Sequence, residues 1–173
     1  MAETFESLLV KLSRAGVEYL VAGGVAVCLN GYVRTTQDLD ILVAAAPENL
    51  RRLLDCLAHF GQGFARELSP EDFPIEEGAV RIIEDFTLDI FTLMRSHTFA
   101  DFCDAARIIE LHDTVIRYLA PPALIELKSE SSREKDQLDV SVLRRILSGA
   151  EAPDSADLAR LTPPEGVNTD GSE

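Results

Sequence analysis

Three aspartates stand where a hard cation could be held by oxygen. Asp38 and Asp40 open the apolar run DLDILV, and Asp89 sits between Leu88 and Ile90 in TLDIF. Strand side chains alternate, so residues two apart share a face and the carboxylates of the pair converge on one point. With 30 acidic residues in the chain, chance alone supplies about five acidic pairs at this spacing, so context has to carry the argument. The context is an apolar strand, where a charge is costly. Three convergent carboxylates suit two-metal phosphoryl transfer: two bridge the metals, and one completes the site of the attacking oxygen. The plainer alternative for Asp89 is an exposed acid on a solvated strand face.

Other groups around these acids suit a polyphosphate. Gly23 and Gly24 follow the apolar run VEYLVA, and small residues with free backbone N–H groups at a helix start can cradle phosphates. A bare double glycine is also an ordinary tight turn, and it matches neither GxxxxGK[ST] nor GxGxxG. Arg34, Thr35 and Thr36 would add charge and hydroxyls near phosphates or acceptor, or simply form a solvated loop. Further along, Lys128 is followed by Arg133, Lys135, Asp136 and Asp139, basic groups and acids close enough to neutralise a triphosphate or to form ordinary ion pairs at a helix start.

The elements that must position these groups follow from periodicity and punctuation. Phe5, Leu8, Leu9 and Leu12 predict an opening amphipathic helix over Thr4 to Ala15, stopped by Gly16. A strand, the glycines, a short helix VAVCLN closed by Gly31, a polar loop and the DLDILV strand come next. Pro47 starts a helix with Leu50, Leu53, Leu54 and Leu57 on its stripe. Residues 61–78 read as an excursion at the domain edge rather than core. AVRIIE and TLDIFT, separated by Asp85 and Phe86, predict a hairpin. A helix over Thr98 to Ala106 and two strands turning near His112 and Asp113 follow. Two C-terminal helices are then expected: one opened by Pro121 and Pro122, and one from about Arg133 to Leu147 burying Leu138, Val142, Leu143 and Ile146. The expected organisation is a core over 1–118, helices packed on it over 119–150, and a disordered acidic tail over 151–173, where Pro, Asp, Ser and Gly dominate.

Length and composition bound the function. A chain of 173 residues can bury a core in one domain without disulfides or structural metal. Cys28, Cys56 and Cys103 are odd in number, lack CxxC spacing and read as reduced, buried thiols; His59, His97 and His112 are scattered, so a zinc site is not expected. No apolar run approaches the roughly 20 residues of a membrane span and the first residues lack a signal-peptide pattern, so a cytoplasmic protein without membrane partners is expected. A net charge of -14 disfavours binding along extended duplex nucleic acid.

The order GG, then R-T-T, then DLD on a strand, then TLDIF resembles the polymerase-beta-like nucleotidyltransferase superfamily. Within it, GGVAVCLNGYVRTTQDLDILV is similar to the small prokaryotic nucleotidyltransferases related to abortive-infection and type IV toxin-antitoxin toxins. Their G-G-x-A opening and R-x-T-x-D-x-D core are present in that stretch, their later lysine followed by R-x-K-D-x-x-D is matched by Lys128 and by Arg133, Lys135, Asp136 and Asp139, and the resemblance covers about residues 5–147. It implies an α/β (α+β) fold with a mixed sheet flanked by helices and a C-terminal helical segment. It also implies Mg²⁺ in a two-metal site at Asp38, Asp40 and Asp89, with the phosphates of ATP or another NTP at Gly23 and Gly24. Lys128 would contact phosphate, joined by Arg133 or Lys135. The implied acceptor is an RNA end such as tRNA, a protein or a small molecule, and the implied partner a cognate antitoxin. Asn30 stands where related sequences often have histidine, and Gly24 where serine is frequent. A fold retained as a silent nucleotide- or partner-binding module is the alternative.

Overall fold

Among the described residues, alternating short apolar runs and amphipathic stretches build a six-stranded mixed sheet with six α-helices. The computed structural model describes residues 2–149; the expected tail over 151–173 lies outside them. Helix α1 (Phe5–Arg14) begins at Thr4, whose side chain and that of Ser7 cap each other's backbone N–H groups. Strand β1 (Tyr19–Ala22) leads directly into α2 (Gly23–Leu29), then β2 (Asp38–Val43) and α3 (Pro47–Leu57). The hairpin β3 (Ala79–Ile83) and β4 (Thr87–Phe91) is followed by α4 (Phe99–Cys103), the hairpin β5 (Arg107–Leu111) and β6 (Thr114–Tyr118), α5 (Pro121–Lys128) and α6 (Glu134–Leu147).

Strand order is β3-β4-β2-β1-β6-β5. The central neighbours β4/β2 and β1/β6 run parallel, while β3/β4, β2/β1 and β6/β5 run antiparallel. All four residues of β1 are buried, which requires cover on both faces of the sheet at its centre. Helix α2 packs on β1 and β2, α1 on β6 and α3, and α5 bridges α2 and α6. Asn49, wholly buried on α3, ties that helix to β1: it accepts from the Glu18 backbone N–H at 2.7 Å and donates to the Glu18 and Ala44 carbonyls.

Three expectations need correction. Residues 61–78 are not merely an edge excursion, because Ala65 and Phe73 are buried in the core cluster and hold the segment in two 3₁₀ turns, Phe64–Glu67 and Pro70–Asp72. The buried residues of α6 are Asp139, Val140 and the expected Leu143, and Ile146 packs against the core as expected, while Leu138 is 52% exposed. An acid faces inward there because its charge partners lie inside. Finally, of the three free thiols only Cys28 is buried, with Cys56 and Cys103 half-buried.

Candidate active site

Sheet register places the three aspartates. Asp40 on β2 is paired with Asp89 on β4, and Asp89 in turn with Arg81 on β3. On the other side Asp40 is paired with Ala22, the last residue of β1 before Gly23. Directly paired residues share a face, so Arg81, Asp89, Asp40 and Ala22 form one row across four strands, with Asp38 two positions along β2 on the same face. This face opens into a cleft of about 390 Å³ whose far wall comes from α5 and the start of α6.

Gly23 and Gly24 make the close approach possible. Gly23 has φ +55, a left-handed conformation, and a Cβ there would collide with the Asp40 carboxylate. A Cβ on Gly24 would come within 2.7 Å of Thr36 Oγ1 and 3.3 Å of the Arg34 guanidinium. The glycine pair therefore admits the site's own side chains against the first turn of α2, and both glycines line the cleft.

The acidic row is short of positive charge. Asp40 is pushed up from its ordinary 3.8 to about 6, first by burial, then by the charges of Asp89 and Asp38, against the pull of Lys128 and Arg81. Asp89 is 4% exposed, and Arg81 donates to its two oxygens through Nε and Nη2, each at 2.8 Å. Those bonds hold Arg81 in its charged form even more firmly than usual. No hydrogen bond among the described residues reaches the carboxylates of Asp38 or Asp40.

On the opposite wall both acids are paired. Arg34 donates to both oxygens of the wholly buried Asp139 at 2.8 and 2.7 Å. Lys128 Nζ lies 2.5 Å from Asp136 and 3.1 Å from Asp139. Burial works to raise the Asp136 carboxyl, but hydrogen bonds from Lys128 and Ser131 outweigh it and keep the group below its ordinary value. Arg34 and Lys128 thus line the cleft as anchored cations. Arg133 and Lys135 also line it, and among the described residues neither makes an ion pair.

Most residues expected at the site are brought together, with one exchange. Asp38, Asp40, Asp89, Gly23, Gly24, Arg34, Lys128, Arg133 and Lys135 all line the cleft. Thr35 is exposed and does not; its neighbour Thr36, 6% exposed, does, with its hydroxyl donating to the Asp38 carbonyl at 3.2 Å. The residue after it alternates outward, so the inward side chain of this extended loop is the second threonine. Arg81 was not foreseen. Phe91, Met94, Leu124 and Leu127 were not foreseen either, and they give the cleft an apolar side. Asn30 is buried and structural: its amide donates to the Ala26 and Leu119 carbonyls and accepts from Arg107 at 3.0 Å.

The residues fit a divalent cation in chemistry and in charge. Two carboxylates without hydrogen-bond partners and a third beside them, with the Asp40 pKa raised first by burial and then by the neighbouring charges, are the hard oxygen donors such an ion takes. Among the described residues no group of three His, Cys, Asp or Glu side chains is already arranged to hold a metal ion, and Arg81 engages both oxygens of Asp89. A cation using all three acids would compete with that guanidinium for Asp89. No family model matches the chain, and no curated protein matches it significantly.

Proposed function

We propose that this protein is a Mg²⁺-dependent nucleotidyltransferase, moving an NMP from an NTP to an acceptor hydroxyl with release of pyrophosphate. The observation that carries the reading is the row Arg81–Asp89–Asp40, in register across three strands with Asp38 on the same face, opening on a cleft walled by Arg34, Lys128, Arg133 and Lys135.

Asp38, Asp40 and Asp89 would hold the cation, which when bound offsets charge on the triphosphate and acidifies the attacking hydroxyl. Asp89 orients the acceptor hydroxyl and takes its proton as the oxygen attacks the α-phosphorus. Gly23 and Gly24 let Asp40, Thr36 and Arg34 close against the first turn of α2, and the phosphates would lie in the part of the cleft that the two glycines line. Arg133 and Lys135 contact the polyphosphate directly, while Arg34 and Lys128, fixed by Asp139 and Asp136, supply a positive wall already oriented before substrate arrives. Phe91, Met94, Leu124 and Leu127 offer an apolar surface for the base. With an acidic chain and a cleft of about 390 Å³, the acceptor presents a small reactive group, an RNA 3′ end, a protein hydroxyl or a small molecule, rather than extended duplex. No helix among the described residues is long and apolar enough to cross a membrane, which is compatible with cytoplasmic work on such acceptors.

The test is incubation of the full chain with Mg²⁺, each α-labelled NTP and cell extract, beside Asp40→Ala. Label transferred by wild type and lost in the variant is expected; no transfer together with no Mg²⁺-dependent NTP binding overturns the reading. A catalytically silent nucleotide- or partner-binding module, one half of a toxin-antitoxin-like pair, is the second reading. The observation favouring it is Asp89, whose two oxygens are already taken by Arg81. It predicts NTP binding without transfer.

A further inference from the structure

The acidic row holds one side chain that the proposed chemistry does not use. Arg81 gives Asp89 a two-pronged hydrogen bond, yet its side chain is 58% exposed against 6% for Asp89. Among the described residues no other basic group pairs with Asp38, Asp40 or Asp89. Arg34 and Lys128 across the cleft are committed to Asp139 and Asp136. Arg81 is therefore the counter-ion of the row in the free protein, held to Asp89 by its guanidinium while most of its side chain is exposed.

We propose that Arg81 is a two-position ligand: counter-ion of Asp89 while no cation is bound, and ligand of the nucleotide's phosphates once a cation has taken Asp89. The proposal rests on the nucleotidyltransferase reading. The guanidinium takes one lone pair on each Asp89 oxygen and sets a positive charge against it, so a cation approaching Asp89 meets a like charge and competes with Arg81 for the carboxylate. A displaced guanidinium remains tethered to β3 inside the same cleft, where the entering anion is a polyphosphate. A planar guanidinium is matched to phosphate oxygens as well as to a carboxylate, so it exchanges one fork of acceptors for another. The acidic row meanwhile trades a monovalent charge for a divalent one.

Two effects of opposite sign follow. Arg81 competes with the cation, so it weakens cation binding in the absence of nucleotide. Arg81 assists the anion, so it strengthens nucleotide binding in the presence of cation. By reciprocity, nucleotide that draws Arg81 away from Asp89 tightens the cation by the same factor as the cation tightens nucleotide. The arrangement makes the acids accept metal chiefly together with substrate.

Isothermal titration of the full chain tests this, with Mn²⁺ alone and then with α,β-methylene ATP at saturating Mn²⁺, for wild type, Arg81→Gln, Arg81→Lys and Asp40→Asn. Arg81→Gln is expected to bind Mn²⁺ about five- to tenfold tighter than wild type and the analogue about tenfold weaker. Arg81→Lys, which keeps the charge but loses the fork, should fall between, and it decides the matter if thermal melting shows Arg81→Gln unfolded. Unchanged or weaker Mn²⁺ binding in the folded Arg81 variants overturns the exchange, and unchanged analogue binding overturns the phosphate-ligand role. Mn²⁺ binding absent from wild type and Arg81→Gln alike, or unaffected by Asp40→Asn, overturns the nucleotidyltransferase reading itself.

Discussion

The two walls of the cleft solve the same electrostatic problem in opposite ways. On the helical wall every acid is matched: Asp136 and Asp139 are hydrogen-bonded by Lys128 and Arg34, with Arg133 and Lys135 left over. On the sheet wall, three carboxylates share one guanidinium, and Asp40 is left with its pKa near 6. Buried charge that is matched internally is scaffold, because adding a ligand gains little. Buried charge that is unmatched is stored repulsion, which a cation relieves on binding. The difference identifies the sheet wall as the place where an ion is missing a partner, and the helical wall as the device that keeps positive groups in position.

Breaking the paired wall should cost the most. Asp139→Ala leaves Arg34 without its bidentate partner at a site of zero exposure, and a stability loss of about 3–5 kcal/mol is expected in urea denaturation. A loss under about 1 kcal/mol would show that the wall is not the scaffold described.

The unbalanced wall should respond in the other direction. Folding raises the Asp40 pKa from 3.8 to about 6, so the native protein holds this proton more tightly than the unfolded chain. The stabilising contribution is complete below about pH 4 and disappears as pH rises through about 6. Asp40→Asn should therefore stabilise the metal-free protein at pH 7.5 by about 1–3 kcal/mol relative to wild type. That gain should vanish in melts below pH 4, and millimolar Mg²⁺ should shrink it by stabilising wild type alone. A destabilised Asp40→Asn at pH 7.5 would remove the contrast between the walls.

A smaller effect is expected at the contact between them. Gly24→Ala sets a Cβ within 2.7 Å of Thr36 Oγ1, forcing that hydroxyl and the Arg34 side chain to shift, at about 1–2 kcal/mol in denaturant titration. The double variant with Thr36→Ser, which removes the Thr36 methyl and lets the hydroxyl turn away, should recover part of the loss. Smallest of all, Arg95→Ala removes an exposed pair with Glu130 outside both walls and should change stability by less than about 0.5 kcal/mol.

Much of the sheet wall is legible in the sequence. The alternation of DLDILV places Asp38 and Asp40 on one face, and Asp89 stands out as an acid in an apolar strand. Arg81 was hidden by a single residue of register. A two-residue loop at Asp85 and Phe86 would pair Ile82 with Asp89 and turn Arg81 to the opposite face. The observed turn spans Glu84 to Phe86 instead and pairs Ile83 with Thr87, hence Arg81 with Asp89. Phe86 sets that turn by burying its ring against Phe5 and Phe60, at centroid distances of 4.7 and 5.1 Å, a contact no local pattern announces. The helical wall was legible only in outline: Lys128, Asp136 and Asp139 were visible as neighbours, but Asp139 reaches Arg34 across 105 positions. That contact turns the α6 stripe inward around an acid and leaves Leu138 outside.

By itself, then, the sequence determined the strands and helices, the two glycines at the turn and the shared face of the first two aspartates, because each follows from periodicity or backbone freedom within a few residues. Only the tertiary structure decided which charges meet. Charge pairing depends on register and on helix rotation, and these are set by where distant aromatic and aliphatic side chains find room in the core.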